Sequence, residues 1–259
     1  LISTGPIKGV TSLQRVAEAL QKEFPSLVAD GRDLPTQEIQ QQSAMLSAAH
    51  ASLEQQADLL INQGKHQEAE TIYREIIAAG TSNHAVYGGL ATICGMQGRF
   101  DEAVDLLEQA LHLRPGFPDY YYNLGNAFKA QGDLGAAIAA YGKALQLKPD
   151  FPRAWYNLGN ALHEYGDLGA ASASYGKALE LKPNYPEARN NLGNVLYEQG
   201  SLGAAIASYG KALEHKWNYP EAHSNLGNAL HEQGDLDAAI SFCQKALELR
   251  LDFPRAHGN

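Results

Sequence analysis

The chain has 259 residues, of which 44% are hydrophobic and 19% are charged, a composition typical of a folded protein and not of a disordered one. Its formal net charge of −9 argues against nucleic-acid binding, because neutralising phosphates requires clustered lysine and arginine. Two cysteines cannot form a disulfide framework, and the chain lacks the apolar run of about 18 residues that crosses a membrane. We predict a cytoplasmic chain that binds neither nucleic acid nor a membrane.

Residues 1–49 do not share the pattern that organises the rest of the chain. Apolar residues there recur at helical spacing, and Thr11 with Gln14 forms a capping box at the start of a helix that Pro25 ends. A second helix is predicted from Thr36 onward. We expect this non-repeat helical segment to cap the N-terminal end of the structure that follows. The alternatives are that it crosses to a neighbouring molecule or occupies a groove.

From residue 50 onward the chain repeats every 34 residues. The letters NLGN stand at 123–126, 157–160, 191–194 and 225–228. The predicted blocks are 50–83, 84–117, 118–151, 152–185, 186–219 and 220–253, of which the first two match more loosely. Residues 254–259, PRAHGN, match the opening of another block, so we predict six repeats and the start of a truncated seventh. Since the chain begins at Leu1, we expect it to be an excerpt.

Each block predicts two helices. In block 152–185, Pro152 suits a first helical turn, where its missing N–H is not needed. Gly166 ends the first helix and Asp167 caps the second. A cation marks the predicted end of each second helix, at Arg114, Lys148, Lys182, Lys216 and Arg250.

One face of each predicted helix carries small and apolar residues. In block 152–185 these are Trp155, Leu158, Gly159 and Leu162 on the first helix and Ala171, Tyr175 and Ala178 on the second. Glycine and alanine let two helices approach closely while aromatic rings fill the gaps, so we predict that these residues form the core. Gly142, Gly176 and Gly210 lie in mid-helix away from this face. They form either a strip against which another molecule packs or tolerated drift among the repeats.

This pattern resembles the tetratricopeptide repeat (TPR) family over residues 50–259. The resemblance rests on Leu-Gly at block positions 7 and 8, alanine at 20 and 27, tyrosine or phenylalanine at 24 and proline at 32. Departures are Trp217 and Leu251 in place of that proline, and Arg189 and His223 in place of an aromatic residue at position 4. The resemblance implies an all-α fold, a right-handed superhelical solenoid of helix-turn-helix repeats.

Block positions 6 and 9 carry asparagine, on the face of the first helix opposite the predicted core. The resemblance to TPR solenoids implies that this face lines a concave groove, with two ladders of amides along it. An amide can pair with a peptide N–H and C=O whatever the peptide's side chains are, which favours an extended chain bound through its backbone. The alternative is that the asparagines bond adjacent repeats to one another, and both roles can hold.

The predicted groove residues share this exposed face. They are Asn123, Asn126, Asn157, Asn160, Asn191, Asn194, Asn225 and Asn228, with Tyr122, Lys129, Arg153, Tyr156, His163, Asn190, Tyr197 and His231 beside them. Glu164, Glu198 and Glu232 join this mixed surface, whose tyrosines favour stacking and hydrogen bonding. His163 and His231 both occupy position 12 but lie two repeats apart, so we predict no metal site.

Among TPR proteins, the doubled asparagines and the stretch FPDYYYNLGNAFKAQGD most resemble the repeat domain of the O-linked N-acetylglucosamine transferases and their bacterial relatives. In that family the asparagine ladder holds substrate polypeptide, and the resemblance implies the same here. A TPR clamp for peptide C-terminal carboxylates requires lysine at position 5. Tyr122, Tyr156, Asn190 and Ser224 occupy that position, so we do not expect this clamp.

The sequence has no arrangement of nucleophile and base, no phosphate-binding loop and no metal-ligand spacing. We therefore predict a chain without enzymatic activity or cofactor, an interaction scaffold whose partner is a protein or an extended peptide. One alternative is the substrate-recruiting arm of a larger transferase, and another is a self-assembly module. Weak self-association through the repeat ends is expected, because Phe242 and Leu247 of the last block would be partly uncovered.

Overall fold

The computed structural model describes residues 50–256, which contain twelve α-helices and no strand. The described residues fall into two compact units, 50–115 and 116–256. The helices of the first unit are α1 (50–62), α2 (His66–Ala78), α3 (His84–Met96) and α4 (Phe100–Leu113). Those of the second are α5 (Pro118–Gln131), α6 (Leu134–Leu147), α7 (Pro152–Tyr165), α8 (Leu168–Leu181), α9 (Pro186–Glu198), α10 (Leu202–His215), α11 (Pro220–Gln233) and α12 (Leu236–Ala256). The predicted N-terminal cap, 1–49, lies outside the described residues.

Local sequence explains where the helices of the second unit begin and end. The first helix of each repeat begins at a proline, at Pro118, Pro152, Pro186 and Pro220. Helix α7 ends at Tyr165 and is followed by Gly166, whose φ of +95° lies in the left-handed region that favours glycine. The Asp167 side chain then accepts a hydrogen bond from the backbone N–H of Ala170 at 2.9 Å and caps α8. The turn between the paired helices is therefore encoded by a few residues.

A tyrosine packed on a glycine holds the two helices of a repeat together. Tyr175 of α8 is fully buried, and a methyl group added at Gly159 of α7 would lie 2.7 Å from its ring. Tyr141 on Gly125 and Tyr209 on Gly193 repeat this contact. Around Tyr175, the predicted core residues Leu158, Leu162, Ala171 and Ala178 are buried. Each helix pair then packs on the first helix of the following repeat, which makes the second unit a stack of helix-turn-helix repeats.

The side chain at position 4 of the repeat contacts the turn that precedes its helix in three blocks. Trp155 is half-buried rather than fully buried, and its indole N–H donates to the carbonyl oxygen of Pro149 at 2.8 Å. Arg189 and His223 place a nitrogen 3.2 and 2.9 Å from the equivalent carbonyl, six residues earlier. Since a carbonyl only accepts, the Nε2 of His223 carries the proton. The departures from an aromatic residue at this position thus preserve a donor to the preceding turn.

Helix α12 extends beyond Arg250, where we expected it to end, and runs through Ala256. The absence of a proline at Leu251 permits this extension but does not require it, because α10 ends at His215 although Trp217 also replaces the proline. Residues 254–256, which match the opening of a block, continue α12. The start of a seventh repeat and the division into six stay predictions.

Candidate functional site

The asparagines at block positions 6 and 9 lie on the first helix of each repeat in the second unit: α5, α7, α9 and α11. Residues three apart are neighbours on one face of a helix, so each pair of asparagines shares a face. Seven of the eight side chains are half-buried, and Asn228 is exposed. This intermediate burial places amide groups at the boundary between the repeats and the solvent.

The asparagine at position 6 bridges to the preceding repeat. The Nδ2 of Asn157 donates to the Oδ1 of Asn126 at 2.9 Å and to the hydroxyl oxygen of Tyr122 at 3.1 Å. Both N–H bonds of this amide are thereby used. Equivalent pairs of bonds run from Asn191 to Asn160 and Tyr156, at 2.9 and 3.2 Å, and from Asn225 to Asn194 and Asn190, both at 3.0 Å. Three of the four asparagines at position 6 therefore donate hydrogen bonds to the preceding repeat.

A tyrosine from the second helix completes each bridge. The hydroxyl of Tyr175 donates to the Oδ1 of Asn160 at 2.8 Å, and the same oxygen accepts from Asn191. Tyr141 donates to Asn126 at 2.8 Å and Tyr209 to Asn194 at 2.9 Å. Burial raises the pKa of all three hydroxyls, so they remain protonated donors at neutral pH. The two bonds on each Oδ1 fix which way the amide faces.

The opposite atoms of the same amides are unpaired. The Nδ2 of Asn126, Asn160 and Asn194 has no acceptor among the described residues. None of these nitrogens belongs to the buried side-chain atoms that lack a partner in the described part of the chain, so they reach solvent. At position 9, the Oδ1 atom thus accepts hydrogen bonds within the fold, whereas the Nδ2 atom is an available donor.

Three cavities follow one another along this face. The first cavity, of about 320 Å³, is lined by Asn126, Lys129, Ala130, Tyr141, Asn157 and Asn160. The second cavity, of about 460 Å³, is lined by Lys129, Asn160, His163, Glu164, Tyr175, Asn191 and Asn194. The third cavity, of about 190 Å³, is lined by Asn194, Tyr197, Glu198, Tyr209, Asn225 and Asn228. The same block positions line all three, so the cavities recur with the repeat.

A second ladder of contacts joins positions 12 and 13 of successive repeats beside these cavities. Lys129 Nζ lies 2.7 Å from a carboxylate oxygen of Glu164, and His163 Nε2 lies 2.8 Å from one of Glu198. The hydroxyl of Tyr197 donates to Glu232. This hydrogen bond raises the pKa of Tyr197. Each contact spans 35 residues, one repeat and one further residue.

The remaining predicted groove residues fall into different environments. Tyr122 and Tyr156 pack their rings against aromatic side chains of the second helix and the following turn, with ring centroids 4.9–6.0 Å apart. Arg153 and His231 are exposed and line none of the three cavities. Asn190 is 4% exposed, which disagrees with the expectation that it is open to a ligand. Its amide instead donates to Asn191 at 3.2 Å and accepts from Asn225.

Of the eight asparagines, Asn123 and Asn228 have no hydrogen bond from their side chains to the described residues. Asn228 lines the third cavity, whereas Asn123 lines none of the three. The sequence analysis placed Tyr175 in the core and did not predict the hydrogen bonds that the hydroxyls of Tyr141, Tyr175 and Tyr209 make to the asparagines. The recurring 15-residue spacing between position 9 and the tyrosine could have revealed them.

The described residues contain no group of three or more His, Cys, Asp or Glu side chains that could hold a metal ion. Cys94 is a buried free thiol, and burial raises its pKa to about 11. No helix within the described residues is both long and apolar enough to cross a membrane. The candidate site is the face of the second unit that carries the asparagines at positions 6 and 9 and the three cavities, which we call the amide face.

Two family models match the chain. The model described as TPR repeat matches residues 96–132, 125–166, 159–200 and 193–234, and the one described as tetratricopeptide repeat matches 220–253. The matches cover more than half of the chain. The chain belongs to the tetratricopeptide repeat family. None of the curated proteins matches it.

Solved TPR structures resemble the fold. A crystal structure of MamA is 26% identical, covers 64% of this chain and 97% of its own, and has a TM-score of 0.61. PilF of Pseudomonas aeruginosa is 19% identical, covers 81% of this chain and 94% of its own, and has a TM-score of 0.68. YrrB, described as a TPR protein with an unusual peptide-binding site, is 22% identical, covers 70% and 93%, and has a TM-score of 0.60.

These likenesses, with the helix pairs, confirm the predicted fold class, an all-α solenoid of TPR helix-turn-helix repeats. As a member of this family, the chain is a protein-interaction scaffold. The specific likeness to the O-linked N-acetylglucosamine transferase repeats stays a prediction, as does the cellular compartment.

Proposed function

We propose that the amide face of the second unit binds an extended polypeptide segment through its main chain. The observation that carries this proposal is the unpaired Nδ2 of Asn126, Asn160 and Asn194 beside three recurring cavities. Each nitrogen is a donor that a peptide carbonyl can accept from, whatever the peptide's side chains are. A chain of carbonyls along the groove would meet one such donor in each repeat.

Preorganisation supports this role. The Oδ1 of Asn160 is held by Tyr175 and Asn191, so its Nδ2 is oriented before any ligand arrives. Binding then costs less side-chain entropy than it would with free asparagines. The Oδ1 of Asn157 accepts no bond from the described residues and offers an acceptor for a peptide N–H. Two asparagines of adjacent repeats together supply a donor and an acceptor.

In this proposal the asparagines at position 6 and those at position 9 have different roles. Position 6 uses both N–H bonds to join repeats, as at Asn157, whereas position 9 keeps them available, as at Asn126. The peptide grip that we propose therefore relies on donors from position 9 and at most on acceptors from position 6. YrrB, a TPR protein described by its peptide-binding site, makes peptide binding by this repeat architecture a reasonable expectation.

The test replaces Asn126, Asn160 and Asn194 together by Asp. A carboxylate still accepts from tyrosine, as Asp58 at position 9 of the first repeat does from Tyr73 at 2.7 Å, but it has no N–H to offer. We expect a folded variant that binds an uncharged, end-blocked peptide of about ten residues, roughly 33 Å when extended, much more weakly. Three lost bonds at about 0.5–1.5 kcal/mol each correspond to a loss of roughly tenfold to two-thousandfold.

The matched control makes the same change at Asn157, Asn191 and Asn225. It adds the same charge, but it removes the donors that join the repeats, so we expect lower stability as its main effect. Fluorescence anisotropy of a labelled glycine-serine-alanine peptide measures affinity, and thermal unfolding measures stability. A fully folded position-9 variant that retains wild-type affinity would refute the proposal.

The predicted role as the recruiting arm of a larger transferase uses the same groove, which would then hold substrate polypeptide. We propose no catalytic role for the described residues. The peptide-binding test applies equally to both roles, since each requires the amides at position 9.

A second candidate function is self-assembly through α12, which is favoured by its exposed apolar face. Leu236, Ile240, Leu247 and Leu251 are 55%, 57%, 60% and 73% exposed, whereas Phe242 is half-buried. Three other repeats have a buried leucine at the position of Leu247, and these residues, Leu111, Leu145 and Leu213, are 9%, 6% and 3% exposed. An antiparallel pair of α12 helices would place Leu236 opposite Leu251 and Ile240 opposite Leu247.

Light scattering over a concentration series tests this candidate. We expect a dimer that Leu247→Lys abolishes without changing the thermal unfolding of the monomer, because the side chain is exposed. The control is Glu248→Lys, on the adjacent exposed position of the same helix. A wild-type chain that stays monomeric at millimolar concentration would remove this candidate.

A further inference from the structure

The three cavities share one amide framework but differ in charge. The first cavity is lined by Lys129 and by no carboxylate. The second is lined by Lys129 and Glu164, whose charges form an ion pair at 2.7 Å. The third is lined by Glu198 and by no cation. With histidines counted as neutral, the formal charge of the lining residues changes from positive through zero to negative along the groove.

The carboxylates along this face differ in how far their partners neutralise them. Glu164 is neutralised by a lysine, but Glu198 meets the Nε2 of His163, and Glu232 accepts from the hydroxyl of Tyr197. A phenol donates a hydrogen bond without cancelling the negative charge. The side chain of Glu198 is also 48% exposed, so its carboxylate remains open to a further cation.

The tyrosines inside the cavities respond to the same charges. Burial is the main cause of the raised pKa of Tyr209 in the third cavity, and the neighbouring Tyr197 and then the charge of Glu198 raise it further. For Tyr141 in the first cavity, burial and the neighbouring Tyr122 raise the pKa, and no carboxylate contributes. The charge of Glu198 also raises the pKa of Tyr175 in the second cavity, so its negative potential reaches the second and third cavities but not the first.

We propose that the third cavity binds a lysine or arginine side chain of the bound segment, and that the first cavity, whose lysine is paired with Glu164, takes an uncharged one. This inference rests on the proposed function. Glu198 would be the specificity-determining residue, since its carboxylate lines the third cavity and can accept from an ammonium or a guanidinium group. The amides bind any main chain, so the charge difference along the groove would select the register in which a segment lies.

The test uses three end-blocked peptides of about ten residues that extend over roughly 33 Å. One is an uncharged glycine-serine-alanine peptide, and the others carry a single lysine or a single aspartate. We expect the lysine peptide to bind about two- to fivefold more tightly than the uncharged one, as is typical of a partly exposed ion pair, and the aspartate peptide more weakly. In about 1 M salt, where the screening length is about 3 Å, the three affinities should converge.

Charge reversal at the cavity identifies the residue responsible. With Glu198→Lys we expect the order to invert, so that the aspartate peptide binds best. Glu180→Lys is the matched control, because this exposed residue of α8 lines none of the three cavities and its reversal changes the net charge equally. An equal effect of both variants would show a general electrostatic attraction and would overturn the inference.

The outcomes separate this inference from the proposed function. If the uncharged peptide binds through the asparagines at position 9 but the lysine peptide binds no better, the third cavity has no cation preference and the inference fails alone. If no peptide binds, the proposed function fails. Binding of the uncharged peptide through the asparagines at position 9, together with an inverted preference in Glu198→Lys and the wild-type order in Glu180→Lys, is the result that supports both.

Discussion

The two units build on similar helix pairs but join their repeats through different chemistry. In the second unit, half-buried amides and tyrosine hydroxyls connect each repeat to the next, and the charged contacts between its repeats, such as Lys129 with Glu164, are more exposed. In the first unit, position 6 of block 84–117 is Gly89, and an added methyl group there would lie 2.8 Å from the hydroxyl oxygen of Tyr73. The tyrosine occupies the space that an asparagine would need. The amide bridge of the second unit therefore cannot form at this position.

Charged residues connect the elements of the first unit instead. Glu70 of α2 is 6% exposed and accepts from Arg74 at 2.8 Å and from Arg99 at 2.6 Å. Glu102 of α4 accepts from Arg74 at 2.6 Å and also pairs with Arg99. Burial alone would raise the pKa of Glu70, but hydrogen bonds from the two arginines outweigh it and leave the pKa lowered. A buried carboxylate is tolerated because two cations surround it.

Helix pairs of one architecture can thus be stabilised by ionic or by neutral contacts, and the two kinds of contact respond differently to pH and salt. Both tryptophans of the chain, Trp155 and Trp217, lie in the second unit. Tryptophan fluorescence therefore follows the second unit, whereas far-ultraviolet circular dichroism follows the helices of both. The two signals make the difference between the units measurable in one sample.

The largest effect is expected from Arg99→Met in the first unit. Glu70 then keeps Arg74 but loses a hydrogen-bonded cation while it stays buried, which should cost about 2–3 kcal/mol. Denaturant unfolding should shift by circular dichroism and not by tryptophan fluorescence. The matched control is Lys177→Met in the second unit, where an exposed pair with Glu180 should contribute less than about 0.5 kcal/mol. Equal shifts in both signals would contradict separate contributions of the two units.

A smaller effect is expected when the neutral bridge is broken by Asn157→Asp. The carboxylate cannot donate to Asn126 or to Tyr122, so we expect a loss of about 1–2 kcal/mol in the fluorescence-detected unfolding. Asn160→Asp is the matched control, because its oxygen only accepts hydrogen bonds from within the fold and should lose less than about 0.5 kcal/mol. If both variants lose the same stability, the amide orientations described above are wrong.

Acidification should separate the units without any mutation. The lowered pKa values of Glu70 and Glu102 mean that their contribution to stability is present above their unfolded pKa. It is lost as the pH falls through the lower folded values, because protonation then removes the ion pairs. We expect the circular dichroism signal to change at a higher pH than tryptophan fluorescence does. If both signals change at the same pH, the ion pairs of Glu70 and Glu102 do not make the first unit more sensitive to acid than the second.

The smallest effect concerns glycine in the second unit. A methyl group added at Gly176 of α8 meets no atom within 4 Å, so Gly176→Ala should stabilise the unit by about 0.8–1 kcal/mol through helix propensity alone. Gly159→Ala is the control, since its methyl group would clash with Tyr175 and should destabilise instead. Because the space around Gly176 is open, another molecule could pack on the strip that it forms with Gly142 and Gly210, or these glycines could be tolerated drift among the repeats. A destabilising Gly176→Ala would point to a contact that the isolated chain does not make.

Much of the fold follows from rules that act within a few residues. The proline that begins α7, the left-handed Gly166 and the cap at Asp167 each depend on the local backbone, and a 34-residue period multiplies them. The site was predictable only in part, since the helical period puts the asparagines on one face but says nothing about their partners. The burial of Asn190 and the partial exposure of Trp155 depend on how neighbouring repeats stack, and no local rule contains that information.

By itself, the sequence determined the helix pairs, the repeat period and the face on which the asparagines lie, because these are consequences of backbone geometry over a few turns. The tertiary structure alone decided which atoms of each amide belong to the fold and which remain available. Asn157 meets Asn126 and Tyr122 from 31 and 35 residues away, and their positions are set by the packing of whole helices. The physical reason is that an amide carries a donor and an acceptor at opposite corners. Only its neighbours in space decide which corner is used.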